Sequence, residues 1–177
     1  MKEKIKNNII AISTRINPIL GSKIFYYTKF HKKLNLKNPI SFSEKLMYLK
    51  LTNYNKNKTV WECSDKLKVR EFAKKHGLKE ENLPKLIKIY KNVEEIDFKE
   101  LPNKFVLKCS HGSGFNIIVT EKSKINQKEV KNKLKKWLNT TFGYETAETH
   151  YNHIKPVIIA EEFIENEENK YPNAECA

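Results

Sequence analysis

The run KFVLKCSHGSGFNIIVT, from Lys104 to Thr120, constrains this chain more than any other stretch. Phe105 to Cys109 is apolar with one lysine, Ser110 to Gly114 is a loop of small residues, and Phe115 to Thr120 is again apolar and β-branched. That pattern predicts strand, flexible loop, strand. Two glycines separated by one residue leave the loop backbone open, so that its N–H groups can close on an anion such as a polyphosphate. Alternation along the first strand puts Lys108 with Val106 and Ser110 on one face and Phe105, Leu107 and Cys109 on the other. The plainer reading is a hairpin with a glycine turn and a solvated lysine, since Gly and Ser dominate turns. A Walker-type loop is excluded, because it needs a helix next and here a strand follows; neither GxxxxGK[ST] nor GxGxxG occurs.

The rest of the chain supplies the layers around this hairpin. Residues 1–37 mix apolar and basic side chains, with Ile9, Ile12, Ile16 and Leu20 at helical spacing around Pro18, which predicts one or two helices docking on the remainder. A membrane-surface helix is the alternative there, given Lys23, Lys29, Lys32 and Lys33 among Phe25, Tyr26, Tyr27 and Phe30. Ser41 with Glu44 three residues on is a capping box that starts a helix after Pro39. A second helical pattern runs from about Thr59 to His76, stopped by Gly77, with Trp61, Leu67, Phe72 and Ala73 inward. Within it, Asp65 and Arg70 of DKLKVREF read as an exposed charged face.

LPKLIKIY, ending at Tyr90, has the alternation of a half-buried strand, and Asn92 caps the short turn VEEI. Asn126 opens a helix whose Val130, Leu134, Trp137 and Leu138 share a face. Val157 to Ala160 form a buried strand that breaks into the carboxylates Glu161, Glu162, Glu165, Glu167 and Glu168. These acids have no Asp or His at ligand spacing, which favours an acidic loop over a metal site. His111 near Cys109 suggests a thiol and base, but no third orienting group accompanies them. The order of elements predicts one mixed α+β unit.

Composition narrows the functional classes. The net charge is +13, from 34 Lys and Arg against 21 Asp and Glu, which raises nucleic acid, anionic membranes and acidic substrates as partners. The lysines are spread among asparagines, with no arginine-rich or aromatic-interleaved patch, and that argues against nucleic acid. Three cysteines, Cys63, Cys109 and Cys176, without CxxC spacing argue against a disulfide framework and a structural zinc site, and point to a reducing, cytoplasmic compartment. No apolar run approaches the roughly 20 residues of a membrane span.

PNKFVLKCSHGSGFNIIV, the helix carrying Trp137 and the strand IIAEEFIE, in that order and spacing, resemble the ATP-grasp superfamily, within it the TupA-like (teichuronopeptide biosynthesis protein-like) group. The resemblance covers residues 38–168 and leaves 1–37 as a helical, basic segment and 169–177 as an atypical tail. It implies an α+β, ATP-grasp-like fold, here incomplete, with a nucleotide held between two subdomains. Lys108 stands where that family places a phosphate-binding lysine, and Ser110, His111, Gly112, Ser113 and Gly114 stand for its flexible loop. Glu161, Glu162, Phe163 and Ile164 correspond to the strand end whose backbone meets the purine, and Glu168 or Glu167 to an acceptor for the ribose hydroxyls. The family's Mg²⁺ ligands are expected downstream of Ala177, so that the chain corresponds to a truncated form or to half of a split enzyme.

The activity so implied is an ATP-dependent carboxylate–amine ligase acting on a carboxylate-bearing sugar or amino acid, alongside polysaccharide-assembly proteins of the cell surface. Two alternatives stand beside it. A glycosyltransferase or its accessory would need an acidic metal motif such as DxD, which is absent. A basic module for nucleic acid or another polyanion would show affinity that falls steeply with salt.

Overall fold

The computed structural model describes residues 2–165, so Glu167, Glu168, Cys176 and the tail 169–177 lie outside the described residues. The described chain is α+β and gathers into two compact units. One comprises Met1–Asp65 with Thr141–Ile154, the other Lys66–Thr140 with the chain from Lys155 onward. Residues 37 and 38 both lie in the first of these units.

The first unit is helical. Helix α1 (Lys2–Ile16) and helix α2 (Pro18–Phe30) meet at Asn17, whose side chain accepts from Ile19 N–H at 2.8 Å while Pro18 takes the first turn. The expectation that Ile9, Ile12 and Ile16 dock inward is corrected. The α1 residues that are buried are Ile10 and Thr14, and the three isoleucines are exposed. The reason is close approach: a Cβ on Gly21 of α2 would lie 2.6 Å from the Thr14 Cα, so small residues, not large ones, make the crossing. Helix α3 (Phe42–Thr52) opens on the expected capping box, with Glu44 N–H donating to Ser41 Oγ at 3.2 Å and the Glu44 carboxylate accepting from Ser41 N–H at 3.0 Å. Tyr26, Leu34 and Met47 make its small core.

The continuous helix expected over 59–76 is two: α4 (Lys58–Ser64) in the first unit and α5 (Lys68–Lys75) in the second, separated by the turn at Asp65–Leu67. Gly77, at φ +92°, ends α5 as expected. Asp65 and Arg70 are buried, which corrects the reading of DKLKVREF as an exposed charged face.

The second unit is built on an antiparallel sheet of β1 (Leu86–Tyr90), β2 (Phe105–Cys109), β3 (Asn116–Val119) and β4 (Ile158–Glu162), in the order β1-β4-β2-β3. The last strand in the chain is thus an inner one. Helix α6 (Gln127–Leu138) is capped by Asn126 and seats Val130 and Leu134 in the core formed with Phe105, Leu107, Cys109, Val119, Ile158 and Ala160. These strand residues all project from one side of the sheet. The first unit also contains the one-turn helix α7 (Phe142–Glu145).

Leu134 is fully buried and Ile12 is 58% exposed. Leu134→Ala is therefore expected to lower the unfolding free energy by about 2–5 kcal/mol, whereas Ile12→Ala changes it by less than about 0.5 kcal/mol; urea unfolding followed by circular dichroism measures both.

Candidate functional site

The glycine loop joins β2 to β3 rather than opening a helix. Its neck is closed by Cys109 N–H donating to Phe115 O at 2.9 Å, and Gly114 takes φ +73°, a conformation open to glycine and strained for residues with a Cβ. Gly112 is required for a different reason: a Cβ there would lie 2.6 Å from the Phe115 ring, which itself stacks on Trp137 with centroids 5.1 Å apart.

Ser110 and His111 serve the loop's foundation. Ser110 is fully buried; its Oγ donates to Lys155 O and accepts from Val157 N–H, both at 3.1 Å, while its own N–H donates to Val157 O at 2.9 Å. His111 Nε2 lies 3.0 Å from Trp137 O, so the tautomer that bonds there carries its proton on Nε2. What the loop turns to solvent is Ser113 and Gly114. Among the described residues, the N–H groups of Ser113 and Gly114 donate to no other backbone group, and these two exposed amides at the tip can face an anion.

Lys66 sits against this loop. Its ammonium donates to Cys109 O at 3.1 Å and to Gly112 O, and its N–H donates to Ser110 O at 3.2 Å. Lys66 had no part in the sequence-based site. The turn that breaks the predicted helix at Asp65–Leu67 is what delivers it, and a helix-length charge pattern hides such a turn.

Lys108 and Glu161 share the sheet face opposite the core. Val106 pairs with Glu161 on one side and with Ile118 on the other, and Lys108 pairs with Ile159 and Asn116. Paired residues project to the same side, so this face carries an apolar floor of Val106, Ile118 and Ile159 with Lys108 and Glu161 set into it. Glu161 is only 5% exposed, yet both its oxygens are answered. Arg70 Nη1 donates to Oε1 at 2.8 Å, and Lys108 Nζ lies 2.6 Å from Oε2 as an ion pair off the hydrogen-bonding directions. Arg70 Nη2 also donates to Pro84 O at 2.6 Å. Arg70 Nη2 also lies 3.9 Å from Glu80 Oε1; Lys66 and Lys108 are the cations nearest the loop, of a kind suited to phosphate oxygens.

Beyond Glu161 the strand end is also engaged. Glu162 N–H donates to Lys85 O at 2.9 Å, and its carboxylate accepts from Lys85 N–H at 2.8 Å. The ladder stops at Glu162; Phe163 is half-buried and Ile164 exposed in irregular chain. Lys104 is paired with Glu165, away from the loop. Of the described acids, Glu161 is buried and so departs from a solvated acidic loop, whereas Glu162 and Glu165 are exposed. Glu167 and Glu168, the ribose acceptors expected from the resemblance, lie outside the described residues.

Two other readings are resolved by burial and donor geometry. Cys109 points into the core, where burial pushes its thiol up to about 12, so it holds no thiolate near neutrality and makes no reactive pair with His111. Among the described residues no three His, Cys, Asp or Glu side chains come together as a metal-binding group. Those residues offer no seat for the Mg²⁺ implied by the resemblance.

Two expectations follow from this geometry. Native protein treated with a thiol reagent labels at exposed Cys63 and leaves Cys109 unlabelled until denaturant is added, as peptide mass mapping checks. Arg70→Met removes one of the two cations on a buried carboxylate and costs about 3–5 kcal/mol; pairing it with Glu161→Gln restores a substantial part of that loss in a double-mutant cycle of urea unfolding.

Comparison with protein-family models gives a match to TupA-like ATPgrasp over residues 44–172. Searches of the curated proteins and of the solved structures returned no match.

Proposed function

Since this chain belongs to the TupA-like ATP-grasp family, we propose that the glycine loop and the sheet face beside it bind ATP. The observation that carries the reading is the placement of Lys108 on the face of Glu161, next to a loop whose tip amides project past a buried foundation. The phosphates lie at Gly112–Gly114, Lys108 and Lys66. The base rests toward Phe163 and Ile164, along the apolar floor of Val106, Ile118 and Ile159. Lys108 is suited to this work because its pairing with Glu161 lies off the hydrogen-bonding directions, which leaves its N–H donors to be turned toward phosphate oxygens. Arg70 holds the Glu161 carboxylate from the other side, so the lysine is drawn toward this face rather than into solvent.

The reaction we assign to the family site is carboxylate–amine ligation. A carboxylate oxygen attacks the γ-phosphorus of ATP and ADP leaves, giving an acyl phosphate; an amine then attacks its carbonyl carbon, loses a proton and expels phosphate to give the amide. The chain's own residues bind and orient the nucleotide in that scheme. A carboxylate-bearing sugar or amino acid is the substrate class, in cytoplasmic assembly of cell-surface polysaccharide; the family membership and the cation-lined face support this assignment. Neither the glycosyltransferase nor the nucleic-acid reading gains an observation at this site.

Isothermal titration of the 177-residue chain with ATP tests it. A phosphate contact desolvated under the loop is worth roughly 2–3 kcal/mol, so Lys108→Ala is expected to weaken binding about 10-fold to 100-fold. Lys104→Ala, whose side chain is paired with Glu165, should change it far less. Equal affinity of wild type and Lys108→Ala would refute the placement of the phosphates.

A further inference from the structure

We propose that the α1–α2 pair is a docking surface for an anionic lipid membrane, on which it lies without crossing. This inference is independent of the ATP site and concerns residues that precede the matched stretch.

Four isoleucines, Ile5, Ile9, Ile12 and Ile16, recur at intervals of four, three and four, and they are 54%, 49%, 58% and 76% exposed. At about 100° per residue they form a single stripe about 16 Å long, opposite the Ile10 and Thr14 side that packs within the unit. Single exposed apolar residues are ordinary, but a continuous stripe of four β-branched ones is an interaction surface. Helix α2 continues the character with exposed Ile19, Leu20, Tyr27 and Phe30.

Charge decides the occupant. The first 37 residues hold nine Lys and Arg against one Glu, a net of +8 out of the chain's +13. Lys4 flanks the stripe on one side with Arg15, which also donates to Thr141 Oγ1 at 3.2 Å, and Lys6, paired with Glu3 at 2.9 Å, lies on the other; Lys23, Lys29, Lys32 and Lys33 are on and just after α2. A second copy docking stripe to stripe would bring two such cationic sets together. Nucleic acid would answer the cations and leave the isoleucines in water. Anionic headgroups above an acyl boundary answer both, through apolar burial plus electrostatic attraction. Among the described residues no helix is long and apolar enough to cross a membrane, so contact stays in the interface plane.

The test is co-sedimentation of the full chain with sucrose-loaded vesicles of phosphatidylcholine alone, or of three parts phosphatidylcholine to one part phosphatidylglycerol. Wild type is expected to partition onto the mixed vesicles at least about ten-fold more strongly than onto phosphatidylcholine alone. The double variant Ile9→Ser, Ile12→Ser should lose about ten-fold or more of that binding while keeping the wild-type circular dichroism spectrum. Replacing Lys23, Lys29, Lys32 and Lys33 with Gln should weaken it comparably, a variant that leaves the isoleucine stripe whole. Failure of wild type to bind the mixed vesicles overturns the proposal. Equal binding by the isoleucine variant also overturns it, since attraction would then be charge alone. A lipid-free dimer in sedimentation velocity that the isoleucine variant dissolves would assign the stripe to a second copy instead.

Discussion

A carboxylate removed from water must be met by cations, and the second unit is arranged around that demand at Glu161. The group is buried at the end of an inner strand, a position where an unpaired charge would cost several kcal/mol. Arg70 from α5 and Lys108 from β2 answer it on opposite oxygens. One carboxylate thereby fixes the helix to the sheet and holds the lysine beside the glycine loop. Arg70, Lys108 and Glu161 thus tie a helix, a central strand and the end of an inner strand together on one face of the sheet.

The loop follows a similar division. Ser110 turns its hydroxyl inward to tie β2 to the chain entering β4, and His111 anchors on the last turn of α6. With the foundation held, the tip can consist of residues with almost no side chain and still keep a defined shape. Phe115, pressed on Gly112 and stacked against Trp137, carries that shape back into the core.

The sequence made some of this legible and hid the rest for identifiable reasons. Alternation with period two put Lys108 opposite Leu107, and the structure agrees, because every second residue of a half-buried strand must face the core. Asn126 and the Ser41–Glu44 box marked helix starts, since a cap is a local hydrogen bond readable within four residues. Arg70 was misread because DKLKVREF has the composition of a solvated helix face, and the partner that buries it lies 91 residues away. Lys66 was missed because the turn delivering it interrupts what looks like continuous helical periodicity. The isoleucines of α1 reversed the usual inference: apolar spacing predicts the packed side, but α1 packs through Ile10 and Thr14, with Gly21 giving the close approach at Thr14.

The inner position of β4 has a consequence in time. During synthesis β1, β2 and β3 are complete long before residues 158–162 leave the ribosome, yet β1 has no partner until β4 arrives between it and β2. The β2–β3 hairpin, a local contact, can form early, whereas the sheet closes through pairings of long sequence separation that are intrinsically slow. Through that interval Arg70 and Lys108 lack their common carboxylate, Glu161. The face carrying Lys108 and Glu161 is therefore assembled in the final step of the unit's folding, and a nascent chain stalled short of Glu161 presents the lysine and the loop without the carboxylate that pairs with Lys108.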